Sequence, residues 1–190
     1  MSFPANLAKH RAALLDVLGE ALRAAGQRTV LKTRGISMAP FLRTRDEVVI
    51  RAVAADAVRP GTIVAYRSGD LLLVHRVVAV ERRADGITFY EKGDNNMYLT
   101  RVEAARVLGR VTEVATGRRT LTLDRVGQRL VGRLVATGGK AQVRAYDLIR
   151  RTGARLLAPG SRASRAARRL VYAGLLAPTR VLLVGARWFL

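Results

Sequence analysis

The sequence predicts a mainly β core, a coiled antiparallel sheet, with one N-terminal helix before it and a basic helical extension after it. Three observations carry that expectation. Leucines recur at helical spacing near the N-terminus. Short β-branched runs punctuated by turn signals fill the middle of the chain, and helical periodicity with many arginines returns after Asp124. The boundaries fall at 1–28, 29–123 and 124–190.

Taken in order, Leu7, Leu14, Leu15, Leu18 and Leu22 mark one amphipathic helix from about Asn6 to Ala25, with Gly26 at the stop position. Lys9, His10, Arg11, Asp16, Glu20 and Arg23 lie inside it, so it reads as neither a signal peptide nor a membrane span. Strands follow at Thr29–Thr33, Glu47–Val53, Thr62–Tyr66, Leu71–Val80, Ile87–Glu91, Val107–Ala115 and Arg119–Leu123. Turns are signalled by Pro60-Gly61, Ser68-Gly69-Asp70, Ala84-Asp85-Gly86 and Thr116-Gly117. This regular spacing of short strands favours a closed or curled antiparallel sheet. Asp124 can cap a helix carrying Val126, Leu130, Val131, Leu134 and Val135. Gly138-Gly139 is expected to break it, with a second helix around Gln142–Leu157 and a third, Arg-rich one after Ser161.

Composition narrows the chemistry. Hydrophobic residues make up 49% of the 190-residue chain, which excludes global disorder. Without cysteine there is no disulfide and no thiolate ligand or nucleophile, and with two histidines no metal site or other cofactor is expected. Charge is lopsided: residues 1–100 hold 15 Lys/Arg against 10 Asp/Glu, whereas residues 101–190 hold 19 against 4. The two halves therefore face different partners. Leu170 to Ala186 is apolar apart from Arg180 and contains Pro178, which favours a segment lying on a membrane surface or partly inserted as a C-terminal anchor over a true span. The basic half reads either as a solvated arginine-rich surface or, with Arg162–Arg169 ahead of this segment and Trp188 and Phe189 at its end, as a fit to an anionic interface. Nucleic acid is the least favoured partner, because aromatics are only 5% and no reader motif is visible.

Three islands carry the candidate chemistry: Gly35-Ile36-Ser37-Met38-Ala39-Pro40, Val74-His75-Arg76-Val77-Val78 and Lys92-Gly93-Asp94-Asn95-Asn96. They offer a hydroxyl, an imidazole and a carboxylate, the parts needed to activate a serine and hold the tautomer of its base. Each also has a bland reading: a loop serine before a proline, a core histidine, and a turn-forming aspartate. His75 is the less ordinary of these, since an imidazole in an apolar run is costly unless it is hydrogen-bonded.

In order and context, Ser37-Met38-x-Pro40, His75-Arg76-Val77 and Lys92-Gly93-Asp94-Asn95-Asn96 resemble the type I signal peptidases, in the branch that pairs serine with histidine. Arg45–Val49, Val58–Val64 and Leu108–Val111 add supporting matches, so the likeness covers about residues 29–115. The resemblance implies a signal-peptidase-like coiled sheet with its site in a surface groove. It implies a serine endopeptidase that cleaves leader or signal peptides after small residues, with a peptide or preprotein as partner at a membrane. Ser37 would be the nucleophile, His75 the base and Asp94 its orienter. Gly35, Ile36, Met38 and Pro40 would line the substrate and oxyanion side. Members of that branch usually carry a further acid after the Gly-Asp-Asn-Asn segment, whereas Met97-Tyr98-Leu99-Thr100-Arg101 has none. That departure leaves Asp94 as orienter, a bare Ser/His dyad, or reduced activity. The alternative is a degenerate or self-processing peptidase fold that binds peptides, with basic helices docking it on membrane or nucleic acid and a cytoplasmic location.

Overall fold

The computed structural model describes residues 13, 14, 17, 19, 20, 28–117, 119–156 and 162–189. The expected N-terminal helix lies, apart from those first five positions, outside the described residues, as do the expected cap at Ser161 and the side chains of Trp188 and Phe189.

The rest is a curled antiparallel sheet covered by two helices. Its strands are β1 (Arg28–Lys32), β2 (Glu47–Arg51), β3 (Ile63–Ser68), β4 (Leu71–Arg83), β5 (Gly86–Lys92), β6 (Thr100–Glu103), β7 (Val107–Thr116) and β8 (Arg119–Thr122). They run in the order β1-β2-β7-β3-β4-β5-β6, with β8 added to β7. The helices are α1 (Val126–Leu156) and α2 (Arg162–Phe189). β6 is a strand that periodicity does not announce, since only Val102 of its four residues is buried.

Side-chain alternation builds a core on each face of the sheet. Val64, Tyr66, Val77, Phe89 and Val102 form one. The other joins Ile50, Ile63, Ala65 and Val111 to Met38, Phe41 and Leu42 of the β1–β2 loop and to Val135, Leu183 and Ala186 of the helices. The loop that carries Ser37 and both C-terminal helices therefore share one core.

Gly138-Gly139 does not break the helix. α1 runs unbroken through it, because Gly139 lies flat against Val78 and Lys92, where a Cβ would stand 3.5 Å from each. Two turns earlier, Gly132 meets Gly61 so closely that a Cβ on Gly61 would sit 2.6 Å from the Gly132 carbonyl carbon. Each glycine costs a helix about 1 kcal/mol in propensity. Close packing on the sheet offsets that cost. The α1–α2 seam is fixed by polar bonds: Gln128 donates to the Ala186 carbonyl (2.9 Å), and Gln142 donates to the Leu175 carbonyl (2.8 Å) and to Thr179. At its far end Arg187 donates to both oxygens of Asp46 (2.9 and 3.2 Å); burial raises the Asp46 pKa, but Arg187, the Arg43 N–H and Thr116 together hold it below the usual carboxylate value.

Candidate active site

Ser37 sits in the turn between β1 and β2. Thr33 closes the base of that loop, donating its N–H to the Asp46 carbonyl (2.8 Å) and accepting from the Arg45 N–H (2.9 Å). Thr44 donates its hydroxyl to the Gly35 carbonyl (3.0 Å), and Gly35 takes a φ of 88°, which favours glycine. Met38 is buried and accepts the Asp94 N–H at its sulfur (3.4 Å), whereas Ile36 is 71% exposed beside the serine. Pro40 follows a cis peptide bond.

His75 comes from β4. Its Nε2 lies 3.0 Å from the Ser37 hydroxyl oxygen. The group on its other nitrogen is Glu91, whose Oε2 stands 2.6 Å from Nδ1. Strand register explains the pairing. Val64 lies opposite His75 on β3, and Glu91 lies opposite Val77 on β5, so Tyr66 and Glu91 are the diagonal neighbours of His75 on one face. Tyr66 donates its hydroxyl to the second Glu91 oxygen (2.8 Å), with a longer approach of 3.3 Å to Nδ1. Both oxygens of a carboxylate only 1% exposed are thereby bonded, as burial of such a group requires. Burial and the charge of Glu91 push the Tyr66 pKa far above its ordinary range, so the phenol stays a donor. With the carboxylate on Nδ1, that nitrogen carries the proton and Nε2 offers its lone pair to the serine.

Asp94 does not fill the orienting place. Both of its oxygens accept from Arg76, Nε and Nη2 at 2.8 Å each. Arg76 follows His75 in the chain and so points to the opposite face, where it also donates to the Gly61 carbonyl (3.1 Å) and lies 5.2 Å over the Phe41 ring. Lys92 shares this buried region. Burial pulls its pKa down to about 8 against the attraction of Asp94.

The Gly93–Asn96 turn still meets the serine loop, through its backbone. Asn95 donates its N–H to the Ser37 carbonyl (2.7 Å) and its side-chain amide to the Ile36 carbonyl (3.2 Å). Asn95 is in turn gripped by α2: its Oδ1 accepts from Arg180 (2.8 Å) and its carbonyl from Tyr172. A Cβ on Gly93 would stand 2.6 Å from the Ser37 carbonyl oxygen, so only glycine allows the two loops to touch.

Beside the serine and histidine opens a groove of about 250 Å³ lined by Leu31, Met38, Leu42, Val48, Leu72 and Val74. Its borders are strand edges. Among the described residues, β1 is hydrogen-bonded to β2 alone, and β5 pairs with β4 only from Arg76 onward, so Leu71–His75 has no described partner strand on that side. Unpaired edges of this kind can add an extended chain by main-chain bonds. Among the described residues there is no group of three His, Cys, Asp or Glu side chains able to hold a metal ion.

Sequence reasoning missed Glu91, Tyr66 and Arg180. A signal for Glu91 existed: alternation places it on the face of Phe89, and a carboxylate on a buried strand face needs a partner. No protein-family model matches this chain, and no curated protein does.

Proposed function

We propose that the protein is a serine endopeptidase that works by a Ser37/His75/Glu91 mechanism on an extended polypeptide, in the manner of the signal peptidases its motifs resemble. The observation that carries this reading is the unbroken chain of contacts from the Ser37 hydroxyl through the His75 ring to Glu91, at 3.0 and 2.6 Å. That is the geometry of an activated nucleophile with an oriented base.

As the Ser37 oxygen attacks the scissile carbonyl, its proton passes to Nε2. Glu91 stabilises the resulting imidazolium. Collapse of the tetrahedral intermediate breaks the C–N bond, and Nε2 returns the proton to the leaving amine. Water then hydrolyses the acyl-enzyme with His75 again as base. The main-chain N–H of Ser37 is the oxyanion donor. An apolar groove walled by Leu31, Leu42, Leu72 and Val74 accepts small apolar side chains next to the scissile bond and excludes bulky ones by their size. The substrate class is a leader or signal peptide, cleaved at a membrane surface. Residues Arg162–Arg187, one helix long and apolar enough to cross a membrane by length and composition (mean hydropathy 1.3), support the membrane part of this reading.

Cleavage of an Ala-x-Ala-type peptide tests it. Ser37→Ala and His75→Ala should each lower kcat/KM by about 10³-fold or more. Unchanged turnover in either variant, with the fold intact by circular dichroism, rules the mechanism out.

A further inference from the structure

Among the described residues, none covers the outward side of the helix pair. α1 turns Gly132 and Gly139 to the sheet and Gln128 and Gln142 to α2, with Val135 in the core shared by both. On its opposite side Val126, Leu130, Leu134 and Leu148 form a stripe at helical spacing and are 53–67% exposed. α2 buries Leu176 and Leu183 and shows Leu170 and Val181 outward, each 74% exposed. The helices pair antiparallel, and both rows lie on sides that the α1–α2 seam does not use. Singly exposed leucines are ordinary, but apolar rows left exposed on two adjacent helices are not.

Charge identifies what fits that surface. Residues 126–190 hold thirteen Lys/Arg and a single acid, Asp147. Arg129, Arg133, Arg144 and Arg151 are exposed and border the α1 stripe on its side away from α2. Apolar stripes edged by arginines match a lipid interface with anionic headgroups. They fit a second copy of this chain poorly, because two surfaces of the same strong positive charge would face each other.

Insertion across the bilayer is disfavoured by the bonds α2 makes. Thr179 is held by Gln142, Arg180 by Asn95, and Leu183 and Ala186 belong to the core shared with the sheet. A spanning α2 would strip all of these away.

We propose that the outer face of the α1–α2 pair lies flat on an anionic membrane, with Leu130, Leu134, Leu170 and Val181 in the acyl boundary and the flanking arginines among headgroup phosphates. This deepens the membrane part of the function proposed above and does not depend on the serine chemistry.

The test is co-sedimentation of the full chain with vesicles. One set contains equal parts phosphatidylcholine and phosphatidylglycerol, the other phosphatidylcholine alone. The expected result is binding to the mixed vesicles that weakens with salt and is reversed by an alkaline wash, with little binding to the neutral ones. Leu134→Glu with Val181→Glu should weaken binding about tenfold or more. Arg133→Ser with Arg144→Ser should weaken it and flatten its salt dependence. All four positions are exposed, so both variants keep the fold, and cleavage of a soluble peptide should be unchanged in them. Binding unaltered by both pairs overturns the proposal. So does attachment that survives the alkaline wash, which indicates a spanning helix. So does self-association that Leu134→Glu/Val181→Glu abolishes without any vesicle binding, since a second copy would then cover the face. Loss of peptide cleavage in Ser37→Ala with vesicle binding retained separates the two readings.

Discussion

His75 and Arg76 are neighbours on β4, and each is held by a buried carboxylate from the β5 side, Glu91 on one face of the sheet and Asp94 on the other. The partners differ in kind. Arg76 is permanently charged and takes both oxygens of Asp94 in a bidentate pair, with no hydroxyl or other nucleophile on it. His75 can gain and lose a proton, and its second nitrogen reaches a hydroxyl at the groove. One strand therefore carries, back to back, an ion pair and a hydrogen-bonded serine–histidine–carboxylate chain, the one that we propose as a proton relay. A buried carboxylate gains a role in chemistry from the group it faces, and its own burial does not decide the matter.

Neutralising each carboxylate in turn separates the two roles. Glu91→Gln keeps the shape but presents Nδ1 with a group that can favour the wrong tautomer. It should lower kcat by about 10³–10⁴-fold with the melting temperature nearly kept. Equal activity of the variant and the wild type would remove Glu91 from the relay. Asp94→Ala leaves Arg76 buried and uncompensated, and should lower stability by about 3–5 kcal/mol in urea titration. A stability close to wild type would show that Phe41 and the Gly61 carbonyl suffice for Arg76.

Asn95→Ala probes the contact between the halves. It removes the amide bond to Ile36 and the acceptor for Arg180, and should cost about tenfold in kcat with KM less affected, read from steady-state cleavage. A loss confined to stability would make Asn95 a structural tie without influence on Ser37.

The smallest expected effect concerns Lys92. Its folded pKa of about 8 lies below the ordinary 10.5, so between those values the unfolded chain binds more protons than the folded one. The native state therefore carries its full penalty below about pH 8, and stability from this group rises as pH climbs toward 10.5. Lys92→Met should stabilise the protein by on the order of 1 kcal/mol at pH 7, with the gain fading by pH 10 in paired thermal melts. A gain independent of pH would place its origin in packing.

Much of this was legible in the chain. The strand runs from Thr29 to Leu123, the hairpin glycines and the Ser37 and His75 islands follow from alternation and turn chemistry, and the curled sheet they predict is the one observed. Glu91 was hidden because it ends a strand, where an exposed carboxylate is ordinary. Its role depends on the register that sets β5 diagonally across from His75, which no local pattern specifies. Asp94 was misread for a related reason. Its Gly-Asp-Asn setting marks a turn, and only the opposite facing of Arg76 shows what the acid neutralises. The Gly138-Gly139 break failed because close packing on β4 overrode helix propensity. The exposed stripe of α1 cannot be separated from a core stripe by periodicity alone, since both recur every three or four residues.

The shared core has a practical consequence for anyone trimming this chain. Val135, Leu183 and Ala186 pack among the same residues as Met38 and Leu42. A fragment ending at Leu123 would leave Met38, Phe41 and Leu42 facing water and Asn95 without Arg180. Such a fragment would lose the shape of its serine turn together with its solubility, and the smallest unit to express for assay keeps residues to at least Arg187.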